Sequence, residues 1–346
     1  MQSNPVSTVP ADLLPLVEDD EQVEYLVRGR ILGRFLPRWF RTLLGTKLSL
    51  IGFTMFVIIV ACAIFAPLLT HYSPTEMNPL SIGLSPSWAH PFGTNDAGQD
   101  IYSQTLYGGR FTLAVGITAG IAVTVLAVVI GMIAGYLGGW VDDALSMVMN
   151  VFLILPQLPL LIVISAYVGL RGDQPVATAL LMAAVITITG WAWGGRVMRA
   201  QTLSLRSRDF VDAAKVNGEG TTHIVFRDMM PNMLALIVNT VILSTMGAIV
   251  TESTLDVLGV GSMSQVTWGT ILFNAISQST LFTHEWWCFV FPGMAIVATV
   301  MSMILMNNGV DALANPRLRR IKPPKRARKQ TAQPETNAGF VVEAAS

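Results

Sequence analysis

Charge is scarce in this chain, and its distribution matters more than its total. Asp, Glu, Lys and Arg make up 13% of the 346 residues, against 52% hydrophobic, about half the charged share of an ordinary soluble domain. The formal net charge is zero, so no overall electrostatic case for nucleic acid exists. Cysteine is rarer still. Cys62 and Cys288 both lie in apolar runs, too few and too far apart for a disulfide framework or a zinc site, and read as buried hydrophobes. No G-x-x-x-x-G-K-[ST] phosphate loop occurs, since Gly45-Thr46-Lys47 lacks the upstream glycine and its spacing. No nucleophile–histidine or acid–base constellation is placed to react, so no catalytic residue is expected. The first 27 residues lack an apolar stretch, and no cleavable signal peptide is expected there.

What is abundant is long uncharged sequence. A bilayer core takes about 20 apolar residues as a helix, and six such runs occur: Leu48–Leu69, Phe111–Gly138, Ala144–Leu170, Val176–Gly195, Asn232–Val250 and Trp286–Asn308. None contains Asp, Glu, Lys or Arg. Helices of a water-soluble protein need a polar face, so the expected class is an all-α membrane protein with six transmembrane helices. The basic residues fix an expected orientation. Six precede the first span (Arg28 to Lys47), six lie between spans four and five (Arg196, Arg199, Arg206, Arg208, Lys215, Arg227) and eight follow the last (Arg317–Lys329). Only Arg110 and Arg171 fall on the other side. The positive-inside rule makes the basic side cytoplasmic, and both termini with it.

The chain then divides into a cytoplasmic N-terminal segment (1–47), a six-helix transmembrane region (48–308) and a basic cytoplasmic tail (309–346). Residues 1–27 and 323–346 have the composition of disordered segments. The cluster Lys322–Lys329 reads either as a topology anchor or as a contact with anionic lipid. His71, His90 and His284 fall on the outer side and His223 on the cytoplasmic side. They read as scattered polar surface residues, and no metal site is expected. The outer-side tryptophans Trp88, Trp268, Trp286 and Trp287 read as an interfacial belt or as stacking surfaces for a substrate.

Span two is dense in small residues (Gly116, Gly120, Gly131, Gly135, Gly138, Gly139), which close packing in lipid requires. Span three carries Pro156 and Pro159 around Gln157. A proline there frees backbone carbonyls, tolerable where protein or a water-filled cavity satisfies them. Gln157 is accordingly a candidate translocation-path residue or a helix–helix hydrogen bonder, and Asn239 in span five is the second path candidate. The cytoplasmic stretch 196–231 is amphipathic and punctuated. Phe210, Val211, Ala214 and Val216 offer an apolar face, Gly218 and Gly220 can end a short helix, and a second short helix can run to Pro231. Two short helices pinned between spans make a knob that can take force from a soluble partner; a plain basic connector is the alternative.

Asp212-Ala213-Ala214-x3-Gly218, followed by Pro231, resembles the EAA loop of ABC importer permeases. Phe92–Gly116, FGTNDAGQDIYSQTLYGGRFTLAVG, is similar to the segment preceding span two in C-type permeases of dipeptide/oligopeptide/nickel importers, with Gly93, Thr94, Asp96, Gly98, Asp100, Gly108 and Arg110 in the expected places. GYLGGWVDDAL, RAQTLSLRSRDFVDAA, Thr251–Gly261 with Trp268-Gly269, Pro292-Gly293 and NGVDALANPRLRR follow in the family's order. The resemblance covers roughly residues 40–322. It departs from the pattern at Asp212 (usually Glu), at Asp228 and Met230, at Met147 and Asn150 (commonly Arg and Asp), and at Asn315-Pro316 (commonly Asp-Pro).

The resemblance implies a permease subunit without its own ATPase site, in an ATP-driven, binding-protein-dependent importer of di- or oligopeptides, located in the cell membrane. Nickel, haem or oligosaccharide is the alternative cargo. The implied partners are a homologous B-type permease, two ATPase subunits or domains that hold ATP and Mg, and an extracytoplasmic substrate-binding protein. The implied coupling residues are Arg208, Asp212, Ala213, Ala214, Gly218 and Pro231, on a coupling helix between spans four and five. An ATP-independent channel or scaffold is the reading from another class. It would be marked by charged or filter-like residues within spans.

Overall fold

The structure is a computed structural model that describes residues 46–168, 174–261, 263–278, 280 and 284–314, with 168 and 311–314 described for backbone only. The basic residues of 28–45 and 317–329, and Arg171, lie outside the described residues. Among the described residues the chain is helical, with one isolated bridge between Thr94 and Asp100. The elements are α1 (Lys47–Ile64), α2 (Ala66–Leu69), α3 (Ile101–Leu137), α4 (Gly139–Ile154), α5 (Gln157–Val168), α6 (Pro175–Arg206), α7 (Asp209–Val216), α8 (Thr221–His223), α9 (Leu234–Val257), α10 (Trp268–Ser277) and α11 (Trp287–Ala314).

Five helical stretches are long and apolar enough to cross a membrane, and α4 with α5 makes a sixth, bent by 90° at its break. The expected six spans are reached when that bent pair is counted as one. The bend has a local cause. Pro156 disfavours a helical conformation at the residue before it, and Leu155 is extended (φ −67°, ψ 132°).

α3 is the central element, packed most extensively on α6 and then on α9. Its glycines make those contacts. A Cβ on Gly116 would meet Ile249 at 2.2 Å, and one on Gly120 would meet Thr245 at 2.2 Å, both on α9. Further along, Gly131 and Gly135 lie against the backbone of α6 at Gly195 and Arg199. Lipid offers no hydrophobic drive between helices, so this close approach and its dispersion contacts carry the packing. α1 packs on α11, with Gly52 against Ser302 and Leu305.

These contacts bring the start of α1, the ends of α3 and α6 and the start of α9 to one end, here called the basic end because Lys47 and Arg196–Arg227 lie there. α6 runs without interruption through Arg206, so the first third of segment 196–231 is an extension of the fourth span rather than a loop. No proline or glycine falls between Gly195 and Arg206 to stop it.

At the opposite end, residues 70–100 fold over the bundle. Asp100 caps α3 by accepting from Ser103 N at 2.7 Å, and its other oxygen binds His90 Nδ1 at 2.9 Å. Phe92 stacks on Phe291 at 4.0 Å between ring centres. Trp287 donates from Nε1 to Thr94 O at 2.9 Å, and Trp268 to Thr105 O at 2.8 Å. Trp268 and Trp287 are therefore buried anchors, which corrects the belt reading for both. The indole N–H of a buried tryptophan needs an acceptor, and backbone carbonyls of the Thr94 bridge and of α3 supply it. Trp88 is fully exposed and Trp286 half-exposed. His90, buried and paired, likewise departs from the surface reading of the histidines.

Candidate functional site

The segment between α6 and α9 begins where Ser207 breaks the helix and Arg208, extended at φ −89° and ψ 147°, turns the chain into α7. Asp209 and Asp212 occupy the first turn of α7 and Lys215 the last, each where the helix dipole favours its charge. Asp212 also pairs with Lys215 at 2.9 Å on the exposed face. The helix ends in a Schellman motif: Gly218 N donates to Lys215 O at 3.0 Å and Glu219 N to Ala214 O at 3.1 Å. That motif needs a left-handed residue after the helix, and Gly218 provides it at φ +77°.

Burial divides α7 sharply. Val211 and Ala214 point inward, into a cluster with Ile224, Val225, Met229 and Met233 and with Val128 and Met132 of α3 and Met198 of α6. Phe210 and Val216 do not join them: both are exposed. Arg208, Asp212, Ala213 and Gly218 all face outward, and a side chain at Gly218 would meet nothing within 4 Å. The structure thus brings five of the predicted coupling residues, Arg208, Asp212, Ala213, Ala214 and Gly218, onto one short helix and its two ends. Pro231 stands apart, exposed, in a tight turn (Met230–Met233) that leads into α9. Between α8 and that turn the chain is π-wound over Ile224–Met229.

The bearing of α7 is braced by polar contacts that sequence reasoning missed. Asp142 of α4 holds Arg199 of α6 through both carboxylate oxygens, the longer contact being 2.6 Å. One turn earlier, Arg196 donates to Asn150. Asn150, a departure from the family pattern, therefore has a cationic partner after all. A bidentate guanidinium–carboxylate pair fixes direction as well as distance, so α4 and α6 are clamped beside the α7 cluster. The signal was present in the basic residues of α6 and the Asp-Asp of GGWVDD, but their separation of more than 50 positions hid the pairing.

Of the two path candidates, Gln157 opens α5 at the bend and is exposed, beside exposed Ile154, Leu155 and Leu158. Asn239 lies within α9, part-buried, and its Oδ1 has no hydrogen-bond partner.

Carboxylates cluster at the opposite end. Glu252 and Asp256 occupy the last two turns of α9, beyond the expected span limit at Val250, and both are buried. Thr112 Oγ1 donates to Glu252 Oε1 at 3.2 Å, Ser253 Oγ to Oε2 at 3.1 Å, and Thr267 Oγ1 to Asp256. Outside the spans, Glu285 is buried over Gly83 and faces Asp96. Burial first, then the neighbouring Asp96, pushes its pKa up to about 7.

The comparisons with known proteins agree with this architecture. Residues 127–320 match the family model described as binding-protein-dependent transport system inner membrane component, and residues 35–86 match that of the N-terminal TM domain of oligopeptide transport permease C. The chain is similar to the dipeptide transport system permease protein DppC of Alkalihalophilus pseudofirmus, 33% identical over 81% of this chain and 89% of that protein. It is 30% identical to DppC of Bacillus subtilis over 90% of this chain and 95% of that one. It is 29% identical to the oligopeptide transport system permease protein OppC of Bacillus subtilis over 84% and 93%. A family model covering more than half of the chain, on a bundle of apolar helices, places it: the chain belongs to the binding-protein-dependent transport system inner membrane components, multi-pass permeases of the cell membrane.

Proposed function

We propose that this chain forms, with a homologous permease, the translocation path of an ATP-driven importer of di- or oligopeptides, and that α7 is the lever through which separate ATPase subunits move it. The observation that carries the reading is the two-sided burial of α7. Val211 and Ala214 join it to the ends of α3 and α6, while Arg208, Asp212, Ala213 and Gly218 remain open on its outer face. A helix anchored on one side and free on the other transmits an applied push to the bundle instead of deforming. The relatives named for dipeptide and oligopeptide transport support the cargo.

ATP and Mg would be held by the partner subunits, in keeping with the missing phosphate loop. The basic end would face the cytoplasm, and the opposite end would receive an extracytoplasmic binding protein. The uncharged surface around the α4–α5 bend, with Gln157 at its corner and Asn239 deeper in α9, would line or border the path shared with the second permease. Motion would be rigid-body rocking about that path.

The experiment is uptake of a labelled dipeptide by cells carrying the complete transporter, with Gly218→Trp and Gly218→Ala compared. No described residue lies within 4 Å of a side chain at Gly218, so an indole there would project toward a docking partner. Both variants share the left-handed strain of about 1–2 kcal/mol, and only the bulky one obstructs docking. Uptake lost in Gly218→Trp and largely kept in Gly218→Ala, at equal membrane abundance, is the expected result. Full uptake in Gly218→Trp would overturn the assignment of α7.

A further inference from the structure

Directly after the Schellman turn of α7, three side chains converge that the reading above does not use. Glu219 Oε2 lies 2.6 Å from His223 Nδ1, and Asp228 Oδ2 lies 3.7 Å from the same nitrogen. One ligand atom from each of the three falls within 4.8 Å of the others. Winding produces the convergence. Residues five apart on an α-helix diverge by about 140°, which would send His223 and Asp228 to different faces. The π-wound turn Ile224–Met229 bonds five residues back and stacks them. Glu219, in the link just before α8, reaches His223 directly. Ile224, Val225 and Met229, buried in the α7 cluster, anchor the turn.

Two further observations point to a cation. Asp228 Oδ2 is buried and has no hydrogen-bond partner. Among the described residues neither Glu219 nor Asp228 is paired with a lysine or arginine, so two carboxylates converge on a single imidazole. A carboxylate oxygen withdrawn from water without a donor is costly. An ion held by all three groups would relieve that cost.

We propose that Glu219, His223 and Asp228 bind one first-row divalent transition-metal ion. One imidazole nitrogen and two carboxylate oxygens suit zinc, cobalt, nickel or manganese better than the all-oxygen preference of calcium or magnesium. The exposed side of His223, 42% accessible, leaves room for water ligands. Bound there, the ion staples the residue after Gly218 to the π-wound turn and fixes the angle at which α7 leaves the bundle. That consequence rests on the coupling reading; the site itself does not.

The test is titration of the full-length chain in detergent, purified on a tag free of histidine, with Co2+ followed by its visible d–d absorption. One Co2+ per chain, displaced by Zn2+, is expected. His223→Ala should abolish the band, and the shape-conserving Glu219→Gln and Asp228→Asn should each weaken apparent affinity by roughly tenfold or more, since even partners outside the ligand set are worth that much. These two keep the test decisive if His223→Ala fails to fold. No band in the wild-type chain, or a band indifferent to all three substitutions, overturns the proposal and leaves a hydrogen-bonded histidine. Because the readout is the ion alone, its outcome is separate from that of the Gly218 uptake experiment.

Discussion

The carbonyl oxygen of Gly195 stands 2.5 Å from the point where a side chain on Gly131 would begin, so α3 and α6 touch backbone to backbone. Gly131→Val should force the helices apart. Overpacking of this kind costs about 1–3 kcal/mol, and helix-interior valine recovers little of it. A lowered thermal unfolding midpoint of the detergent-purified chain is expected, while Gly139→Ala, where nothing lies within 4 Å, should show only its backbone strain.

Asp142 and Arg199 should prove coupled in a double-mutant cycle. Asp142→Asn leaves the guanidinium beside a neutral amide and should cost about 2 kcal/mol, the range for hydrogen bonds to charged groups. The double change Asp142→Asn with Arg199→Met should cost less than the sum of the singles. Additive costs would show that the clamp does not act as a pair.

Trp268→Phe should keep the packing of the ring against Gly109 and lose the donor to Thr105 O. Thr105 O keeps its helical partner, so only the added indole bond is lost and the cost should be about 1 kcal/mol. Thermal unfolding reads it, and Trp88→Phe, on a fully exposed residue, serves as the silent control.

Glu285 gives a pH dependence with a definite sign. Its pKa in the folded chain, about 7, lies above the ordinary glutamate value of 4.5. The folded state therefore binds the proton more tightly, and this contribution to stability is full below about 4.5 and lost as pH rises through about 7. Between those limits the wild-type chain should lose stability with rising pH relative to Glu285→Gln, whose unfolding midpoint should vary less. Identical pH profiles for the two would refute the assignment.

The spans were legible because a bilayer tolerates almost no unpaired charge, so long uncharged runs mark helices that can cross it. The ends of α7 were legible too, since Gly218 occupies the left-handed position a helix terminus requires. What escaped was whatever depends on distant partners. Arg196 and Arg199 read as loop residues, yet Asn150 and Asp142 lie opposite them and the helix simply continues. Glu252 and Asp256 fell outside the expected fifth span because charge was used to end it. The structure carries the helix on to Val257, where Thr112, Ser253 and Thr267 satisfy the carboxylates. The His223 cluster was hidden for another reason: a spacing of five has no common face until the backbone is π-wound.

α3 is 37 residues long, or roughly 55 Å at about 1.5 Å per residue, against a hydrocarbon thickness of about 30 Å. One unbroken rod thus joins the capped turn at Asp100 to the methionine cluster under α7. If it pivots near one tip, a lean of only about 5° sweeps the other through about 5 Å, close to a full helical turn. Small displacements near Met132 are thereby geared up into large ones at Asp100, with no hinge needed anywhere along the way.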